Sequence, residues 1–128
     1  MKKIPATQLL LFICLIFVNT ASGHHSAAPF DFTSPVTLEG IVKEFSVLNP
    51  HSVIVLEVTD EERGTRDIEF EGMSASTFYR AGYIVSSVNE DDKISITIAP
   101  RHDGDDGGFV ISFITVDGQD IGFRMPGN

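Results

Sequence analysis

The segment Lys93-Ile94-Ser95-Ile96-Thr97-Ile98-Ala99 alternates polar and apolar residues without a break. Strand side chains point to opposite faces in turn, so this run predicts a strand with one face in a core and one in water. Four other segments carry strand signals. Val36 to Phe45 is β-rich with Gly40 in its middle, and an internal strand glycine marks a bulge or a sharp bend. Val53 to Val58 follows the break at Asn49-Pro50. Asp67 to Glu71 alternates, with one wet face. Phe109 to Val116 is the last long strand, and Asp117-Gly118 after it signals a hairpin turn into a short returning strand within Gln119 to Phe123. Between the third and fourth strands, Ser74 is placed to cap a short helix over Ala75 to Ala81, and Gly82 to end it. Ala75, Phe78 and Ala81 form its apolar stripe. The connections are a charged turn over Asp60 to Thr65, a polar connector over Val85 to Asp92, and an acidic, glycine-rich loop over Pro100 to Gly108.

Three strands, a short helix and two further strands, with the first strand bent, outline an OB-like architecture. The expected fold is all-β with one short helix, a small five- to six-stranded OB-like barrel. Closure removes exposed strand edges, which suits a small domain. Val42, Val55, Phe70, Phe78, Ile96 and Phe113 are its expected core.

The N-terminus reads as an export address. Lys2 and Lys3 precede an unbroken apolar run from Leu9 to Val18, and Ala21-Ser22-Gly23 places small residues where signal peptidase reads. The run is half the roughly 20 residues that a membrane-spanning helix needs. Cys14 lies inside it after Ile13, which is not a lipoprotein signal. The expected division is a secretory signal peptide at 1–23, an extended arm at 24–35, the barrel domain at 36–124 and a tail at 125–128. The expected location is periplasmic or secreted. Removing residues 1–23 from the 128-residue chain leaves 105, enough for one domain. Cys14 is the only cysteine, so the processed chain has no disulfide despite an oxidising destination. The fold must rest on its apolar core.

Processing also removes Lys2 and Lys3. Seven basic residues then face 18 acidic ones, a formal charge of −11. Such a field repels nucleic acid and attracts cations and basic partners. OB barrels that bind single strands need a basic groove and stacking aromatics, and this chain has no tryptophan. Enzyme signatures are also missing. The processed chain has no cysteine nucleophile, no Gly-x-Ser-x-Gly elbow and no phosphate-cradling glycine loop. Glu69 and Glu71 share a strand face with no recognisable catalytic partner. The expectation is a binding protein rather than an enzyme.

Several short words, taken in order, resemble a family of small exported bacterial domains of unknown function. They are His24-His25-Ser26, then Pro35-Val36-Thr37-Leu38-x-Gly40, Asn49-Pro50-His51-Ser52, Phe70-Glu71-Gly72, Tyr79-Arg80-x-Gly82 and Val116-Asp117-Gly118. Together they span essentially all of the chain after Gly23. The resemblance implies a barrel of OB character and export to the periplasm, and brings no established activity. The chain departs from the family pattern by lacking tryptophan near Asn49-Pro50-His51 and after the helix. Where the family has a Pro-Gly-Asp turn before the fourth strand, this chain has Asn89-Glu90-Asp91-Asp92.

His24, His25 and His51 are the candidate metal ligands. Cleavage after Gly23 leaves His24 with a free α-amine, so one residue offers two nitrogens. Cleavage one or two residues earlier leaves a histidine third from the amine, which suits a square of nitrogens around copper(II) or nickel(II). The candidate cofactor is copper(II). Two readings of the pair remain open: a metal site, or an ordinary chain terminus. His51 likewise has two, as a strand-entrance residue bonded to backbone or as a third ligand if the arm folds back toward it. Asp103-Gly104-Asp105-Asp106-Gly107-Gly108 is acidic but departs from calcium-loop spacing, with Gly107 at the third alternating position and Thr115 at the distal one. The alternative function is a metal-free OB-like interaction module for a peptide, glycan or protein partner.

Overall fold

The computed structural model describes residues 27–122. The expected signal peptide, His24, His25 and the tail lie outside the described residues. Six strands and one helix follow in chain order: β1 Val36–Ser46, β2 Ser52–Asp60, β3 Gly64–Gly72, α1 Ala75–Arg80, β4 Lys93–Pro100, β5 Gly108–Ile114 and β6 Asp120–Gly122. The sheet order is β3-β2-β1-β4-β5-β6, and a parallel pairing of Glu71 with Phe109 joins β3 to β5. Five strands therefore close a small barrel of OB type, and β6 is an extra strand on β5. No helix among the described residues is long and apolar enough to cross a membrane.

Closure depends on β1 serving two partners. Its first half, Val36 to Ile41, pairs with β4, and its second half, Ile41 to Ser46, pairs with β2. The handover falls beside Gly40. A Cβ there would lie 2.9 Å from the Glu57 carbonyl oxygen and 2.9 Å from the Leu56 Cβ. The glycine thus marks a close approach of two strands. The bulge itself comes later, where the register shifts between Val42 and Glu44. Beyond the handover Val42 exchanges backbone bonds with the connector, donating to Asp92 and accepting from Asp91, both at 2.8 Å.

The barrel interior holds Val42, Ile54, Leu56, Phe70, Ile96, Val110 and Phe113, each no more than 1% exposed. Val55 is a correction to the expected core, because it is half-buried on the outer face while Ile54 and Leu56 point inward. Val53 to Val58 is apolar at nearly every position, so its own pattern could not choose a face. The pairing chose it: Val55 sits opposite Glu44 on one side and Glu69 on the other.

Helix α1 plugs one end of the barrel. Phe78 is 2% exposed, with ring centroids 5.6 Å from Phe113 and 6.5 Å from Phe45. The helix ends at Arg80, with Ala81 as its C-cap and Gly82 following at φ +101. Ser74 occupies the N-cap position, but its hydroxyl bonds those of Ser76 and Thr77 and leaves the helix amides alone. Its carbonyl accepts from Thr77 and Phe78 instead. Strand β5 stops two residues short of Val116. Thr115 explains this, since its amide donates to the Gln119 carbonyl while its hydroxyl accepts from the Gln119 amide and donates to Asp117. The Asp117-Gly118 turn therefore starts earlier, and Val116 is exposed on it.

Candidate functional site

His51 enters the fold through a turn that is fixed at several points. The Asn49-Pro50 bond before it is cis. Ser52 after it is fully buried, and its hydroxyl donates to the Met73 carbonyl at 2.7 Å and accepts from the Leu48 amide at 3.2 Å. The Leu48 carbonyl in turn accepts from Ala75 at the start of α1. A Cβ on Gly72 would meet both Ser52 and the Phe78 ring at 3.2 Å. So the turn, the end of β3 and the helix form one packed corner, and His51 projects from it in a set direction.

That direction leads to a carboxylate and an aromatic ring. The His51 Nδ1 faces the Glu71 carboxylate, and the two side chains form an ion pair when the imidazole is protonated. Hairpin pairing of β2 with β3 sets Val53 opposite Glu71, which brings the carboxylate beside the histidine. The His51 ring stands edge-on to Phe109, centroids 6.2 Å apart and planes at 89°. Phe109 starts β5, and it is also where the N-terminal arm docks. Phe30 and Phe32 each place a ring 5.7 Å from it. Backbone bonds secure the arm: Phe30 bridges Arg101, Asp31 donates to Pro100 at 2.8 Å, and His102 donates to Pro29 at 2.9 Å. Residues 27–35 are not an extended arm but a run of turns, with the Phe30 amide bonded to the Ala27 carbonyl at 3.1 Å, and the two phenylalanines attach it to the barrel. A shallow polar cleft beside it is lined by Phe30, Glu69, Glu71, Arg101, Asp106 and Gly107.

Of the three candidate ligands, the structure describes His51 alone. His24 and His25 lie outside the described residues. Among the described residues no three His, Cys, Asp or Glu side chains converge into a metal-holding group. His51 with Glu71 is a pair, and a metal there would take its other donors from elsewhere. The pair has the arrangement of metal-bound imidazoles, in which a carboxylate on one ring nitrogen orients the ring and raises the basicity of the other. Glu71 and Phe109 are partners that motif reading passed over. The signal for Glu71 lay in the hairpin, whose register can be counted from its turn. No local signal pointed to Phe109.

Two of the three carboxylates in the acidic loop are bonded to arginines. Asp103 accepts from the Arg101 Nε at 3.0 Å, and Asp106 accepts from Arg66 at 2.8 and 3.0 Å. Arg63 adds a contact to Asp106 at 2.9 Å. Arg66 also reaches Asp60 on the opposite side, so it ties the β2–β3 turn to the β4–β5 loop. The Arg66 hydrogen bonds, with help from Arg63, hold the Asp106 carboxyl below the usual carboxylate range. Asp60 is held low first by the Arg63 amide and then by Arg66. Gly107 completes the corner at φ +106, where a Cβ would lie 2.8 Å from the Glu69 carbonyl oxygen. The loop is an arginine-bound cover on the edge of β3, and its aspartates are not arranged around a cation.

No curated protein matches the chain. The family of unknown function DUF6152 matches residues 13–110, well over half of the sequence, and the chain belongs to that family.

Proposed function

We propose that the chain is an exported periplasmic binding protein that holds one copper(II) ion between its processed N-terminus and His51. The observation that carries this reading is the shared Phe109 ring. Phe30 of the arm and His51 of the turn both pack on it, at 5.7 and 6.2 Å. Ala27 to Phe30 make a turn, closed by the Phe30 amide on the Ala27 carbonyl at 3.1 Å, and His25 lies two residues before Ala27, a reach of at most about 7 Å. The docked part of the arm therefore packs on the same ring as the histidine that faces the Glu71 carboxylate, and the histidine pair precedes that docked part by two residues in sequence. The α-amine and imidazole of His24 would supply two nitrogens, with His25 or His51 completing the set. Nitrogen donors place copper(II) at the top of the divalent affinity order. The acidic surface raises the local concentration of cations.

Copper titration into three proteins tests the site. They are the processed protein, the same protein with one extra N-terminal residue, and His51→Ala. The expected result is that the extension and His51→Ala each weaken binding by about tenfold or more, and that Glu71→Gln weakens it by about tenfold through the loss of ring orientation. Affinity falls with pH, because protons compete with the metal for imidazole nitrogen. If both the extension and His51→Ala leave affinity unchanged, the site does not exist and the metal-free interaction module is the better reading. Intact mass of the exported protein fixes the mature start, expected within Ser22 to His24. A chain retaining residues 1–23 removes the terminal amine from consideration.

A further inference from the structure

The two outer sides of the barrel differ in chemistry. Across β1, β4 and β5, hydroxyls face outward in one row, Thr37, Thr97 and Ser112, and the Thr37 and Thr97 hydroxyls are bonded at 2.9 Å. Across β1, β2 and β3, three outward rows run over the strands: Ser46–Val53–Glu71, Glu44–Val55–Glu69 and Ile41–Glu57–Asp67. Val53 and Val55 follow one another on the outer face of the central strand, half-buried between the side chains of the flanking strands. Carboxylates stand on both flanking strands and at the next outward position of β2. Lys43 at the bulge is the cation of this face among the described residues, and it is already 3.4 Å from Glu57.

We propose that this face docks an extended, basic segment of a partner protein, with aliphatic side chains seated on Val53 and Val55 and lysine or arginine side chains among the surrounding carboxylates. The spacing fits. Outward residues two apart on a strand are about 6.8 Å apart, and so are the same-face side chains of an extended ligand. The sign of the charge selects the ligand. Five carboxylates against one paired lysine repel nucleic acid and acidic peptides. Two aliphatic side chains at the centre distinguish the face from a merely solvated acidic surface, because a partner that brought charge alone would leave them wet. The face shares Glu71 with the copper site, where it pairs with His51, so the test variants avoid Glu71 and the three histidines and their outcome is separate from that of the copper titration.

The test is titration of a short peptide into isotopically labelled protein, followed by amide chemical shifts and by calorimetry. The peptide alternates serine with same-face valine and lysine. Controls are an order-scrambled peptide of equal composition, a lysine–serine peptide without valine, and a version with glutamate for lysine. The expected result is that shifts move on the outer rows of β1, β2 and β3, that affinity falls as salt rises, and that the glutamate version does not bind. Glu57→Gln combined with Glu69→Gln weakens binding by about tenfold, and Val55→Thr weakens it independently. Thermal melts confirm that each variant is folded. The proposal is overturned if the valine-free or scrambled peptide binds as tightly, if the shifts fall elsewhere or nowhere, or if the protein proves to be a dimer that covers this face with its own copy.

Discussion

Gly40 has no space for even a methyl group. The obstacles to a Cβ are the Glu57 carbonyl oxygen and the Leu56 Cβ, both at 2.9 Å, and neither can swing aside as the end of a flexible side chain could. Gly40→Ala must separate β1 from β2 at the point where β1 changes partners. We expect a loss of about 1–3 kcal/mol in urea unfolding, the range for overpacking a tight interior. Ser52 tests a different term. Its buried hydroxyl satisfies the Leu48 amide and donates to the Met73 carbonyl. Ser52→Ala removes both bonds and is expected to cost about 1–3 kcal/mol, because the Leu48 amide is left without that acceptor. A stability within error of the wild type would mean that water replaces the hydroxyl. At this scale sequence reading was uneven. The strand glycine was legible as a constraint, but the close approach behind it was not, since that depends on which strand lies opposite. The Asn49-Pro50-His51-Ser52 word was legible as a turn. The reason for Ser52, a hydroxyl shared between a loop amide and the end of β3, needs three separate segments in register.

Elements were more legible than their ends. Every expected strand exists, and the alternation of β4 put Ile94, Ile96 and Ile98 inside. β2 was misread at Val55 because both its faces are apolar, and the outer one is covered only by the carboxylates of its neighbours. The end of β5 was misread because the Thr115 side chain starts the turn before the apolar run stops. The helix was legible in position, and its role follows from one side chain. Phe78 is the plug, against Phe45, Tyr83 and Phe113. Phe78→Ala is expected to cost about 3–5 kcal/mol, the usual loss for an aromatic cut from a core, and thermal melts will read it as a large drop in Tm. Tyr79 on the same helix is 48% exposed, and Tyr79→Ala is expected to change stability little. Equal effects from the two would mean that the helix does not plug the barrel. The two phenylalanines of the arm were legible as its attachment, but the turns that replace an extended segment at 28–29 and 32–33 were not. The arm's destination was not legible either, because Phe109 lies near the far end of the chain. Of the candidate site, sequence therefore supplied the histidines, and the fold supplied the carboxylate and the ring that place one of them.

At the scale of the whole molecule, charge does two jobs. The chain carries 18 acidic residues against 9 basic ones, and most of that excess is solvated surface. A few carboxylates are instead fastened to arginines that hold the loops against the barrel. Asp60, Asp103 and Asp106 are all held below the usual carboxylate range, Asp103 chiefly by hydrogen bonds from Arg101. The sign of the pH dependence follows. A carboxyl with a lowered value in the folded state binds fewer protons there than in the unfolded chain. Its stabilisation is complete above the unfolded value of about 3.9 and is lost as pH falls through the lower folded value. The excess of acidic residues acts oppositely, since carboxylate repulsion relaxes as the pH drops from 7. We therefore expect Tm to hold or rise between pH 7 and about 5, then to fall below about 4 as the arginine-bound aspartates take up protons. Arg66→Met should lower Tm at neutral pH and flatten the acid limb, because Asp60 and Asp106 both lose a partner in that one change. Melts of the two proteins from pH 7 to 2.5 decide the matter. Parallel acid limbs would mean that the Arg66 clasp contributes nothing to the acid dependence of folding, and that the β4–β5 loop is held to β3 by Arg63 on Asp106 and by the backbone approach at Gly107.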